Sequence, residues 1–133
     1  MSLNGKGRRV VVTGMGAVTS LGTGVEKFWS AIKAGECGVG PIEGFPLQDL
    51  FIHIGGEVRD FDPRVHCGSK LLQLADRYSQ YAGAAAREAV EQAGIETPLK
   101  NGDRAASIIG SGIGGLATLE KGYEDLFILK KKA

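Results

Sequence analysis

The chain has 133 residues, 43% of them hydrophobic and 23% charged, with a formal net charge of +1. That length suffices for one domain with a modest core, and the composition excludes an intrinsically disordered chain. So small a charge supplies no field for nucleic acid or an anionic membrane, and the apolar runs are strand-sized, far below the ~20 residues of a membrane span.

Residues 1–6, opening Met1-Ser2-Leu3, read as a leader, and residues 7–133 as the folding unit. No secretory signal follows, because Arg8-Arg9 leads into a short apolar run and then Gly14. Arg9-Val10-Val11-Val12-Thr13 is a β-branched run ended by Gly14-Met15-Gly16, the pattern of a buried strand entering a tight turn. Thr23 and Glu26 have capping-box spacing, and Val25, Phe28, Trp29 and Ile32 then recur on one helical face until Gly35. Glycines and prolines between Gly35 and Phe51 break any period and predict loop. Ile52 to Val58 alternates as a short strand, and Asp62-Pro63 predicts a helix cap followed by a first-turn proline.

The longest predicted element is a helix from about Ser69 to Ala93, with Leu71, Leu74, Tyr78, Tyr81, Ala82, Ala85 and Ala89 at three- and four-residue spacing and Gly94 as its C-terminal stop. The run Ala82 to Ala86 carries so little bulk on one side that a neighbouring backbone can pack close. Ala105-Ala106-Ser107-Ile108-Ile109 predicts a second buried strand, entering the glycine loop Gly110-Ser111-Gly112-Ile113-Gly114-Gly115. A helix with Leu116, Leu119, Tyr123, Leu126 and Phe127 follows. Alternating strands and helices predict an α/β layered fold with a largely buried sheet. Three strands leave that sheet with an exposed edge, and the last helix still shows a wide apolar face at residues 126–129. The fold is therefore expected to be incomplete, its apolar face covered by further polypeptide.

Three chemical readings compete for the motifs. Gly110-x-Gly112-x-x-Gly115, between a strand and a helix, matches a dinucleotide fingerprint, but the ribose-binding acid expected about 20 residues onward would fall in the basic stretch Lys130-Lys131-Lys132. Cys37 and Cys67 are candidate nucleophiles by residue type alone; Cys37 follows a helix, where the dipole has the wrong sign for a thiolate. With His53 and His66 the cysteines have no metal-ligand spacing, so no metal is expected, and no cofactor. Two cysteines are also too few for a disulfide framework, which favours a reducing, cytoplasmic setting.

Taken together, the segments resemble the β-ketoacyl-[acyl-carrier-protein] synthases, thiolase-fold condensing enzymes, and among them the KAS II type. Residues 8–16 are similar to the family's opening strand and turn, Phe28-Trp29 with Gly35 to the helix that follows, and Asp76-Arg77-Tyr78-Ser79-Gln80-Tyr81-Ala82 to its Asp-x-Phe-x-Gln-Tyr segment. Gly110 to Leu116 resembles its glycine loop. The resemblance implies a thiolase-like layered fold, of which residues 7–133 form the N-terminal part of the first half. It implies a decarboxylative Claisen condensation of acyl and malonyl thioesters with acyl carrier protein as partner, and a homodimeric parent. The family's nucleophilic cysteine, two histidines and lysine lie downstream of residue 133, so no catalytic residue is expected in this chain and the chain alone is expected to be inactive. Two supporting roles are implied: Gly112, Ile113 and Gly114 at the gate of the acyl pocket, and Lys70 in carrier docking. Gln73 and Leu74 stand where other members carry arginine and lysine, which points to a specialised carrier or a different docking surface. The rival functions are a nucleotide-binding α/β module using residues 110–115 and a non-catalytic synthase-like partner protein.

Overall fold

A computed structural model of the chain describes residues 9–131; the leader assigned to residues 1–6 lies outside them. Among the described residues the backbone forms two small antiparallel sheets and five α-helices, with a short 3-10 helix at Gly102–Arg104. Strands β1 (Val18–Thr19) and β2 (Gly22–Thr23) make a hairpin, α1 spans Val25–Ala34, and β3 (Gly40–Pro41) pairs with β4 (Ile54–Gly55). Then come α2 (Pro63–His66), α3 (Ser69–Leu74), α4 (Arg77–Gln92) and α5 (Leu116–Tyr123), which continues as a π-helical turn over Glu124–Ile128.

Helix α4 organises the molecule, and its small residues are the reason. A methyl group at Gly14 would lie 1.9 Å from the Ala89 carbonyl oxygen, and one at Gly16 would lie 1.8 Å from that of Ala85, so the backbone at 14–16 rests directly on the helix. Two residues of extended chain advance about 6.7 Å and four residues of helix about 6 Å, so Gly14 meets Ala89 while Gly16 meets Ala85, one turn earlier. The amides that follow each glycine are taken by side chains three positions further along the helix: Met15 N–H donates to Gln92 Oε1 at 2.6 Å and Ala17 N–H to Glu88 Oε2 at 3.0 Å. The closeness expected of the alanine run is thus realised against the first glycine turn.

Glu88 also corrects the expected start of α1. Its Oε1 accepts the Val25 N–H at 2.8 Å, whereas Thr23 turns its hydroxyl to Asp60 and the cap residue Gly24 has no side chain to offer. The capping box therefore does not form, because a carboxylate from α4 satisfies the exposed amide instead. The far end of α1 is as expected: Gly35 is left-handed at φ 71° and its N–H returns to Ile32 O at 3.0 Å. Gly94, at φ 64°, ends α4 in the same way, and Asp62 caps α2 by accepting the Arg64 N–H at 2.9 Å.

The helix expected over 69–93 is broken. Ala75 is extended (φ −113°, ψ 138°) and Asp76 becomes the N-cap of α4. The cause is Gln80, buried to 8% exposure, whose amide donates to the carbonyls of Ala75 at 3.0 Å and Leu72 at 3.5 Å. One side chain thereby closes the open end of α3 from the first turn of α4. Beside it sits the core, Phe61, Cys67 and Ala84, with Val18, Val58, Leu71 and Tyr81 against it. The Arg77 guanidinium spans the Phe61 and Tyr81 rings at 5.4 and 5.3 Å.

The strands expected at 9–13 and 105–109 are not paired into either sheet, and only Ile54–Gly55 of the expected 52–58 strand is paired. A strand exists by its ladder, and neither segment meets one among the described residues. Val10 is 91% and Ile108 94% exposed. The accessible area is 11432 Å², against roughly 6,700 Å² for a compact protein of 14.0 kDa. The architecture is α/β, helices with two small sheets, and most of its β-branched sequence is uncovered.

Candidate functional site

The glycine loop folds back onto the start of α4. Gly115 is the left-handed residue, at φ 81° and ψ 19°, and serves as the N-cap of α5. A methyl group there would lie 2.6 Å from Asp76 Oδ2, and one at Gly114 would lie 2.7 Å from a carbon of the Tyr78 ring. Thr118, in the first turn of α5, donates its hydroxyl to Asp76 Oδ1. These contacts enclose a cleft of about 300 Å³ lined by Asp76, Tyr78, Tyr81, Ile113 and Thr118 among others.

Ile113 lines that cleft but stays 77% exposed, held on one side only. Gly110 and Gly112 have nothing within 4 Å of where a side chain would begin. The chain bends at Gly112 and turns at Gly114, which lies close against Tyr78, while the left-handed backbone is used at Gly115. Leu116 begins α5 as expected.

Lys70 lies apart from this loop in the lining, on α3, exposed beside a groove of about 500 Å³ whose other walls include Leu71, Leu74 and Ala75. The cysteines are separated as well. Cys37 is exposed beyond the C-terminal end of α1, and Cys67 is buried with its Sγ 3.7 Å from the Gln80 carbonyl oxygen. Among the described residues no three His, Cys, Asp or Glu side chains gather as a metal site. His66 stacks on Phe61 with ring centroids 5.2 Å apart, and His53 Nε2 lies 2.7 Å from Leu50 O.

The geometry also bears on the nucleotide fingerprint. A pyrophosphate bound at the start of α5 would meet the Asp76 carboxylate already seated there, so like charges oppose it. The preceding segment, 105–109, is not in a sheet.

The N-terminal domain of the β-ketoacyl synthases matches residues 7–132. This chain belongs to that family. The 3-oxoacyl-[acyl-carrier-protein] synthase 2 of Coxiella burnetii is 43% identical over 119 residues, and that of Synechocystis is 38% identical over 113. These alignments cover 90% and 85% of the chain but 29% and 27% of the relatives. Among solved structures, the ishigamide ketosynthase/chain length factor superposes with a TM-score of 0.77 at 32% identity, over 92% of this chain and 30% of that one. The chain thus spans under a third of the synthases it matches, and the thiolase-like α/β fold class is that of its neighbour.

The sequence placed Asp76, Gln80 and Gly115 within motifs without the contacts they make, and Glu88 and Thr118 were not singled out. Two signals were available: Asp76 is a favoured N-cap type, and Gln80 is a polar residue set among the apolar positions of the predicted helix.

Proposed function

We propose that the chain is the N-terminal segment of a 3-oxoacyl-[acyl-carrier-protein] synthase, an acyltransferase of fatty-acid or related polyketide synthesis. The complete enzyme joins an acyl thioester to malonyl-carrier protein by decarboxylative Claisen condensation, as a cytoplasmic homodimer. Residues 7–133 are the first part of its synthase domain and residues 1–6 a leader. The observation that carries this reading is the family match over residues 7–132. The uncovered apolar segments 9–13 and 105–109 support it, since further polypeptide would cover them.

The chemistry needs a thiolate stabilised by a helix N-terminus or a cation, amide donors for the developing oxyanion, and imidazoles that promote decarboxylation. Cys37 sits past the C-terminal end of α1, where the helix dipole opposes a thiolate, and Cys67 points into the core. The reacting groups therefore belong to the rest of the enzyme. This segment contributes the wall of the acyl pocket at Gly112, Ile113 and Gly114, and Lys70 at the carrier-docking surface.

Intact-mass analysis of the 133-residue chain after incubation with acyl- and malonyl-carrier protein tests this. The expected result is an unmodified chain and no 3-oxoacyl product. A stoichiometric acyl adduct on Cys37 or Cys67 would falsify the assignment. Titration with NAD should produce no saturable binding, and a saturable isotherm would favour the nucleotide reading.

A further inference from the structure

We propose that Asp76 and Thr118 form a polar latch that sets the position of Ile113, and with it the length of acyl chain admitted. Asp76 is thus a positioning residue, and the inference rests on the acyl-pocket reading above. One side of the latch is a fixed post. Asp76 caps α4, its carbonyl accepts the Gln80 N–H at 3.0 Å, and the buried Gln80 amide holds the neighbouring Ala75 carbonyl, also at 3.0 Å. The other side is loosely held. Leu119 on α5 is 69% exposed, and nothing lies within 4 Å of a side chain begun at Gly110, Gly112 or Gly122.

Between them stand three contacts: the Thr118 hydroxyl on Asp76 Oδ1, the left-handed Gly115 against Asp76 Oδ2, and Gly114 against the Tyr78 ring. The carboxylate also faces the first turn of α5, where the positive end of the helix dipole favours it. Ile113 is the next residue before this clamped pair. Its distance from Tyr78 and Tyr81 across the cleft is therefore set by where Gly114 and Gly115 are pinned. Releasing the latch lets the loop leave α4 and widens or collapses the cleft without touching a reacting group.

The test has two arms. In the 133-residue chain, hydrogen exchange of amides 113–119 should accelerate about 10-fold in Thr118→Val, the loss expected for one hydrogen bond to a charged group, and return to the starting rate in Thr118→Ser. Asp76→Asn, which keeps an acceptor oxygen, should fall between them. In the complete synthase carrying this segment, Thr118→Val should change the ratio of long- to short-primer kcat/KM at least 3-fold, and Thr118→Ser should restore it. Unchanged exchange in Thr118→Val overturns the latch. Accelerated exchange with an unchanged primer ratio upholds the latch as a structural contact and overturns the acyl-length role, leaving the family assignment intact.

Discussion

Substitution of Gly16 by alanine tests the contact on which the fold rests. The new methyl would sit 1.8 Å from the Ala85 carbonyl oxygen, 2.6 Å from its carbon and 3.0 Å from its Cα, all backbone atoms of a helix that cannot turn aside. An ordinary carbon–oxygen contact needs about 3.3 Å, so the segment must retreat by about 1.5 Å. The Ala17 N–H to Glu88 bond, now 3.0 Å, and the Met15 N–H to Gln92 bond, now 2.6 Å, then both pass out of range. At about 1 kcal/mol for each lost bond and about 1–3 kcal/mol for the overpacking, the cost is about 3–5 kcal/mol. That is a large part of the 5–15 kcal/mol that typically holds a domain together. Urea denaturation followed by circular dichroism should show the midpoint falling by more than ~1 M with the slope retained. Gly102→Ala, where a side chain meets open space, is the control and should stay within about 0.5 kcal/mol. A Gly16→Ala chain as stable as that control would refute the packing argument.

Glu88→Ala removes the acceptor for both Ala17 and Val25 amides and should cost about 2–3 kcal/mol in thermal unfolding, with Glu88→Gln losing less. The Asp62 carboxyl is lowered to about 2 by its pairing with the Arg64 side chain and then by the Arg64 N–H. A depressed carboxyl stabilises the fold above its unfolded value of about 3.9 and loses that contribution as pH falls toward 2. Side-chain NMR titration should place the Asp62 midpoint near 2 in the intact chain and return it toward the ordinary range in Arg64→Ala; an unshifted midpoint in the intact chain would contradict the pairing. Ile113→Phe in the complete synthase should lower the long- to short-primer ratio of kcat/KM ~10-fold or more, since one methylene in such a pocket is worth about 1–3 kcal/mol. Equal loss at every primer length would instead indicate a damaged fold.

The elements legible in the sequence are those whose information is local. Gly35 and Gly94 stop helices because only the left-handed region lets the chain turn there, and Asp62 with Pro63 starts one by the same nearest-neighbour chemistry. The alanine run of α4 announced a close backbone approach but not its partner, which is Gly14 and Gly16 some 70 residues away. What failed depended on distant partners. The capping box at Thr23 lost to Glu88, and the helix over 69–93 was divided because Gln80 could satisfy carbonyls that a continuous helix would have used internally. The β-branched runs at 9–13 and 105–109 were read for their strand propensity, yet a strand needs a ladder and the described residues provide none. The glycine loop was visible as a motif, whereas its anchoring by Asp76 and Thr118 needed the folded chain.

The central claim, that this chain is a working part of a condensing enzyme, is tested most directly by exchange. Residues 7–132 should be substituted for the matching segment of the Coxiella burnetii 3-oxoacyl-[acyl-carrier-protein] synthase 2, to which this chain is 43% identical, and malonyl-dependent formation of 3-oxoacyl product measured. The account predicts a hybrid that condenses at a rate within about 10-fold of the parent, a barrier difference of about 1.4 kcal/mol. A hybrid that folds and binds carrier protein yet forms no product would contradict it.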